Sequence, residues 1–266
     1  MTFWTVALVG LMAALVALTL IWLASLRSRD VSIVDICWGP GFALLAWLYV
    51  ALPGSAGPQP VAMAALVSVW GLRLAVHLFT RHRGAGEDPR YQAIRAGHGR
   101  AFWWRSLFIV FWLQAVLLWF IALPLLIAAR APQPARMTAA DAAGLLLFAV
   151  GFAFEAVGDR QLRRFKSVPA NGGKVLDAGL WRYTRHPNYF GDAVLWWGVY
   201  LGAVAVPGGW MTVASPVLMT FLLLRVSGVT LLERSLALSK PGYEDYVSRT
   251  SAFVPWFPRR QEPRQG

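Results

Sequence analysis

The sequence predicts an all-α polytopic membrane protein, seven transmembrane helices in one bundle, from its composition, the lengths of its apolar runs and the placing of its basic residues. Hydrophobic residues make up 57% of the 266 and charged residues only 14%, against roughly 25% charged in soluble domains. The mean hydropathy is +0.51. Runs long enough for a hydrocarbon core of about 30 Å, roughly 20 residues each, fall near Phe3–Leu26, Val31–Leu52, Val61–Thr80, Phe102–Ala129, Ala140–Gly158, Pro187–Val206 and Met211–Leu236.

The first run has no basic n-region in Met1–Gly10 and no small-residue cleavage site before the charged turn that follows, so it is expected to stay as a helix. The second holds Asp35 in its first turns and Cys37, the single cysteine. A lone thiol in an apolar run is a small core residue and excludes a disulfide framework. The third carries Arg73, His77 and Arg81 at a spacing of four, on one helix face. The fifth repeats that pattern with Glu155, Asp159 and Arg163. The sixth carries Asn188, Asp192 and Trp196, with Pro187 suited to its first turn. The seventh contributes Arg225 and Glu233 and has no lysine for a retinal Schiff base.

The net charge of +12 follows topology and not nucleic-acid binding, because Lys and Arg cluster in alternate loops as cytoplasmic segments do. Arg27–Asp30, Arg81–Arg105, Arg160–Arg185 and the tail after Lys240 hold most of them; the other connections, Pro53–Pro60, Arg130–Thr138 and Pro207–Trp210, hold only Arg130 and Arg136. Seven spans then put the N-terminus in the periplasm and the C-terminus in the cytoplasm of a bacterial inner membrane. With no internal repeat and no shift in composition, residues 1–257 are expected to form a single domain, followed by a disordered basic tail over 258–266.

With this topology nearly all the intramembrane charges fall within about 10 to 15 Å of the cytoplasmic helix ends, at 1.5 Å per residue. Such charges normally face a cavity or a partner. The alternative for any one of them is a structural ion pair, but so many are unusual where desolvation seldom returns net stability. The excess of Arg and His suits an anionic soluble cofactor. At Arg185-His186-Pro187-Asn188-Tyr189 a helix N-terminus beside an arginine offers a phosphate site; a basic cap at the headgroups is the alternative. No Gly-x-Gly-x-x-Gly after a strand, no Walker motif and no zinc-ligand spacing occurs, and His77, His82, His98 and His186 are scattered. No metal is expected, and a nucleotide would have to bind between helices. The loops Gly84–Arg100 and Lys166–His186 are long enough to cover a site.

The segment Gly179-Leu180-Trp181-Arg182-Tyr183-Thr184-Arg185-His186-Pro187-Asn188-Tyr189-Phe190-Gly191-Asp192 resembles the C-terminal region of the steroid 5α-reductases (3-oxo-5α-steroid 4-dehydrogenases). Related segments occur in sterol reductases and in isoprenylcysteine carboxyl methyltransferases, so Arg-His-Pro alone leaves both NADPH and S-adenosylmethionine open. Val34–Phe42, Gly86-Glu87-Asp88-Pro89-Arg90-Tyr91 and Thr250–Trp256 are similar to the bacterial DUF1295 branch of the reductases, which extends the resemblance over most of the chain, its cofactor motifs lying in 140–257.

The resemblance implies roles residue by residue. Asp35 and Trp70 fall nearest the glutamate and tyrosine that hold the substrate ketone, with Trp38 beside them. Asp for Glu and Trp for Tyr are departures that bear on steroid specificity. Arg73 matches a cofactor-cavity arginine, His77 replaces a cofactor-lining tyrosine, and Arg81 continues their face. Glu155 and Asp159 stand for an Asn-x-x-x-Asp pattern continued by Arg163 and Lys166. Tyr183, Arg185 and His186 belong to the quoted segment, Asn188 and Asp192 match an Asn-x-x-x-Glu cofactor pair, Arg225 matches an arginine late in the last helix, and Tyr246 supplies a tyrosine from the tail. The implied activity is hydride transfer from NADPH to the C=C bond of an α,β-unsaturated ketone of a steroid-like or other hydrophobic substrate entering from the membrane. A monomer in contact with membrane lipid is expected. The alternatives are a methyltransferase using S-adenosylmethionine and a non-catalytic lipid-binding protein. The loop Gly86–Tyr91 is expected either to cover the cofactor or to be a salt-bridged loop.

Overall fold

The computed structural model describes residues 1–52, 54, 57–226, 229, 233, 236 and 240–259. Among these the chain is helical, with no β-strand and one isolated parallel bridge between Thr184 and Ser251. The helices are α1 (Phe3–Ser28), α2 (Ile33–Ile36), α3 (Trp38–Ala51), α4 (Pro58–His82), α5 (Pro89–His98), α6 (Phe102–Ser106), α7 (Leu113–Ile121), α8 (Leu123–Arg130), α9 (Ala139–Lys166), α10 (Pro187–Val204), α11 (Ala214–Phe221) and α12 (Tyr243–Arg249).

Among the described residues, 5 stretches are long and apolar enough to cross a membrane: α1, α4, Pro89–Ile121, α9 and Gly209–Val226. The second expected run is divided. Pro40 lies in the first turn of α3, has no N–H and crowds the carbonyl four residues back, and the chain turns at Cys37 between α2 and α3. The 14 residues of α3 reach only about 21 Å at 1.5 Å per residue. The sixth run forms α10, 18 residues long. The fourth widens into a π-helical stretch at Leu107–Trp112 and turns again at Ala122, before Pro124. The seventh is described continuously only as far as Val226, and the tail from 260 lies outside the described residues.

Contacts group the chain into two compact units, Met1–Asp141 with Gly202–Ser215, and Ala142–Leu201 with Pro216–Gly266. In the first, α3 packs along α4, α1 against α7 and α3, and α8 against α3 and α4. Close approach of α3 and α4 depends on Gly39 and Gly71, since a β-carbon on Gly39 would collide with the Gly71 carbonyl oxygen. Phe42, Leu45, Tyr49, Val67, Trp70, Phe111 and Leu126 form the core around this contact. Trp4, Leu8, Met12, Val16 and Leu20 leave an exposed apolar stripe along α1, the surface a helix presents to lipid.

The second unit is built on a glycine seam between α9 and α10. A β-carbon on Gly151 would lie 2.5 Å from the Gly191 carbonyl oxygen, and one on Gly198 2.6 Å from that of Gly144. Small residues let membrane helices meet backbone to backbone. Here the seam buries Glu155 and Asp159 on α9.

Candidate functional site

In the first unit, two of the motifs singled out in the sequence meet. Asp35, on the single turn of α2, accepts a hydrogen bond from the Tyr91 hydroxyl at 2.6 Å on Oδ1 and from Arg90 Nη2 at 2.8 Å on Oδ2. Gln114 Nε2 donates to the Tyr91 oxygen at 3.1 Å, and the Trp38 indole N–H donates to Gln114 Oε1 at 2.6 Å. The relay therefore runs from Trp38 through Gln114 and Tyr91 to Asp35, and on through Arg90 to Asp88, whose Oδ1 accepts Arg90 Nε at 2.9 Å.

The loop that delivers Arg90 and Tyr91 is fixed by its own acids. Asp88 caps α5 by accepting the Arg90 backbone N–H at 2.9 Å, and its own N–H donates to Ser32 Oγ at 3.2 Å. Glu87 accepts the Val31 N–H at 2.9 Å and Arg95 Nη2 at 2.7 Å. Asp30 accepts the Ser32 N–H at 2.9 Å and lies 2.6 Å from His82 Nε2. Burial alone would raise the Asp88 carboxyl, but hydrogen bonds from the Arg90 side chain and backbone, with the charges of Arg90 and Arg81, hold it below its ordinary value of 3.8. Glu87 and Asp88 thus tie the loop to basic neighbours.

Trp70 is 1% exposed. Its ring lies 5.9 Å from Phe42, which lies 5.7 Å from Trp38. Arg73 and His77 are partly buried and Arg81 is exposed on α4. The arginine that pairs with Asp35 is Arg90, from the motif Gly86–Tyr91 and not from the charged face of the third run.

In the second unit the other two motifs meet. Thr184 Oγ1 donates to the Phe253 carbonyl at 2.7 Å. The Arg185 N–H donates to Ser251 at 2.9 Å, and the Trp256 N–H to Tyr183 at 2.9 Å. The Arg185 side chain is nearly buried and donates to Glu233 Oε1 at 2.7 Å and to the carbonyls of Val247 and Thr250 at 2.9 and 3.1 Å. Buried His186 lies 3.2 Å from the same Glu233 oxygen, and Tyr246 donates to the Trp181 carbonyl. Arg185 is therefore a clamp on the chain that follows α12. Burial, and then the charge of Glu233, push the hydroxyl of Tyr243 in α12 up to about 12.

Where α10 begins, Asn188 Nδ2 donates to Asp159 Oδ1 at 3.0 Å. The start of α10 fits against Gly158, whose carbonyl accepts the Trp181 indole N–H at 3.1 Å. The amide oxygen of Asn188 is buried and has no hydrogen-bond partner among the described residues. Asp192 follows one turn later and is partly buried; Arg163, Lys166, Tyr183 and Arg225 are exposed.

Sequence reasoning did not find Gln114, Ser32, or Glu233 as the partner of Arg185 and His186. Gln114 carried a signal, being an amide within a run of apolar residues. Glu233 was visible as a charge in the seventh run and Ser32 carried no signal; the partners of both are fixed by tertiary structure.

The DUF1295 family, described as a protein of unknown function, matches residues 21–250. The uncharacterized protein C594.04c of Schizosaccharomyces pombe (strain 972 / ATCC 24843) is 29% identical over 225 residues, covering 74% of this chain and 64% of that protein. The chain thus spans less than two thirds of the length of that relative. No solved structure matches the chain. Matched over residues 21–250, most of its length, the chain belongs to the DUF1295 family.

Proposed function

We propose that this protein is a membrane-embedded reductase that uses NADPH to reduce the C=C bond of an α,β-unsaturated ketone in a steroid-like or other hydrophobic lipid. The reading rests on the resemblance of the quoted segments to steroid 5α-reductases and on one observation. Asp159 and Asn188 are joined at 3.0 Å, and Asn188 keeps a buried amide oxygen without a partner. An unmet buried acceptor costs about 1–3 kcal/mol. A carboxamide or amino group would satisfy it, and a nicotinamide adenine dinucleotide carries both. The residues present therefore fit the cofactor: Asn188 and Asp192 for a polar head, with exposed Arg163, Lys166 and Arg225 as cations for phosphates.

Bound NADPH would supply the hydride. The chain's own part is to orient the substrate and to stabilise the negative charge that grows on the ketone oxygen. Asp35, Trp70 and Trp38 are assigned to the substrate side. Arg73, His77, Arg81, Glu155, Asp159, Tyr183, His186 and Tyr246 are assigned to binding or shaping the cofactor side, and Arg185 to holding the chain after α12 in place. The proposal includes seven spans in a bacterial inner membrane, the N-terminus outside and the basic loops in the cytoplasm, where NADPH is available.

The test is an assay of the purified protein in nanodiscs with NADPH and androst-4-ene-3,17-dione, alongside S-adenosylmethionine with a prenylcysteine carboxylate as acceptor. Enone-dependent NADPH oxidation without methyl transfer is expected. Methyl transfer, or no thermal stabilisation by either cofactor, would overturn the reading.

A further inference from the structure

We infer that Arg90 is the hydrogen-bond donor for the carbonyl oxygen of a flat, apolar ligand, and that Asp35, Asp88 and Tyr91 are positioning residues that aim it. The inference rests on the proposed reductase reading only for the class of ligand, a ring ketone.

The guanidinium is held on one side only. Nε donates to Asp88 Oδ1 at 2.9 Å, and Nη2 donates to Asp35 Oδ2 at 2.8 Å and to Asp88 Oδ2 at 3.1 Å. Nη1 makes no hydrogen bond among the described residues, so a pair of N–H donors is fixed in direction and left open. The side chain is 34% exposed, enough for a ligand to reach it. Two carboxylates on one arginine leave no positive charge over for a phosphate, so the group that fits is neutral and accepts a charge-assisted hydrogen bond, as a carbonyl does.

The surroundings supply the remainder of such a site. Asp35 cannot swing away from Arg90, because Tyr91 holds its other oxygen at 2.6 Å and Gln114 holds Tyr91 at 3.1 Å. Gln114 is held in turn by the indole of Trp38, which is partly exposed and is backed by the buried rings of Phe42, 5.7 Å away, and then Trp70, 5.9 Å from Phe42. A partly exposed aromatic face beside a few convergent polar groups is in keeping with a small-molecule site. None of Arg90, Tyr91 or Gln114 was assigned to the substrate by the resemblance.

The experiment measures binding of 5α-androstan-3-one and of 5α-androstane, its hydrocarbon counterpart, to the full chain in nanodiscs, by tryptophan fluorescence and without cofactor. The wild type is expected to prefer the ketone by about tenfold or more, the effect of one hydrogen bond to a charged donor. Arg90→Lys keeps the charge but loses the fork, and Arg90→Gln keeps a donor without charge; both are expected to lose the preference. Asp35→Asn is expected to lower it and Asp35→Glu to restore part of it, which a role in folding alone would not produce. A wild type with no preference, or Arg90 variants that elute and melt as folded protein and keep it, would overturn the inference. NADPH binding is followed in parallel samples of the same preparations. Ketone preference without NADPH binding would sink the reductase reading and leave this inference standing. Enone reduction unchanged in Arg90→Lys, with the preference intact, would do the reverse.

Discussion

The Tyr91 hydroxyl donates to the Asp35 carboxylate at 2.6 Å and joins the start of α5 to the turn of α2 across 56 positions of sequence. That bond closes a relay whose other members also hold one another. Removing the hydroxyl in Tyr91→Phe leaves Asp35 with Arg90 alone and Gln114 without its acceptor. The expected cost is about 1.5–3 kcal/mol, that of a hydrogen bond to a charged group. Hydrogen exchange of the Gly84–Tyr91 loop in nanodiscs should be faster in the variant, with α9 and α10 unchanged.

Asp88 gives the fold an acid-side sensitivity. Its folded value lies below the ordinary 3.8 despite burial, through its bonds to Arg90. Because the folded value is depressed, the stabilisation is fully present above the unfolded value and is lost as pH falls through the folded one. Asp88→Asn keeps a good helix cap but removes the ion pair. Melting profiles should show the variant less stable than wild type at pH 7, and the difference shrinking in the window below about pH 4.

The seam between α9 and α10 leaves no room for side chains. A β-carbon on Gly191 would lie 2.5 Å from the Glu155 amide nitrogen, and backbone cannot give way as a side chain can. Gly191→Leu should cost more than the ~1–3 kcal/mol of ordinary overpacking and abolish folded protein on gel filtration. Gly97, inside α5 with open space around it, is the contrast. Gly97→Ala should stabilise by about 0.5–1 kcal/mol.

Arg185 serves one carboxylate and two carbonyls, an arrangement a lysine cannot reproduce. Arg185→Lys should release the chain from Ser251 to Trp256. The readout is limited proteolysis, with new cleavage expected in that segment, and an expected loss of about 1–3 kcal/mol, because the carbonyls of Val247 and Thr250 lose their donor while His186 still faces Glu233. Glu233→Gln should give a smaller effect of the same kind.

How much of this was legible in the sequence differs by element. The long spans were, because apolar length is a local property: α1, α4 and α9 fall where hydropathy placed them. The interruption of the second run at Cys37 and the π-helical stretch at Leu107–Trp112 were not, because an apolar run has the same composition whether straight or bent. Pro40 was visible, but its effect on the carbonyl four residues back depends on the helix it interrupts. The residue types of the site were legible as costly charges in apolar runs; their partners were not. The apolar run after Asp35 carries Arg73, yet it is Arg90 that reaches Asp35, from the start of α5 and a loop shaped by Glu87 and Ser32. Arg185 was expected beside phosphate on its position at a helix start, and the structure binds its side chain to Glu233 and two carbonyls. In both cases helical spacing identified a face, and tertiary contacts chose the partner.

The most direct test of the central claim follows a label. NADPH carrying deuterium at the transferable C4 position is incubated with the protein in nanodiscs and androst-4-ene-3,17-dione, and the steroid is analysed by mass spectrometry. A reduced product carrying one deuterium at the former β-carbon, absent in Asn188→Ala, is the predicted result. A steroid that is unreduced, or reduced without the label, would contradict it.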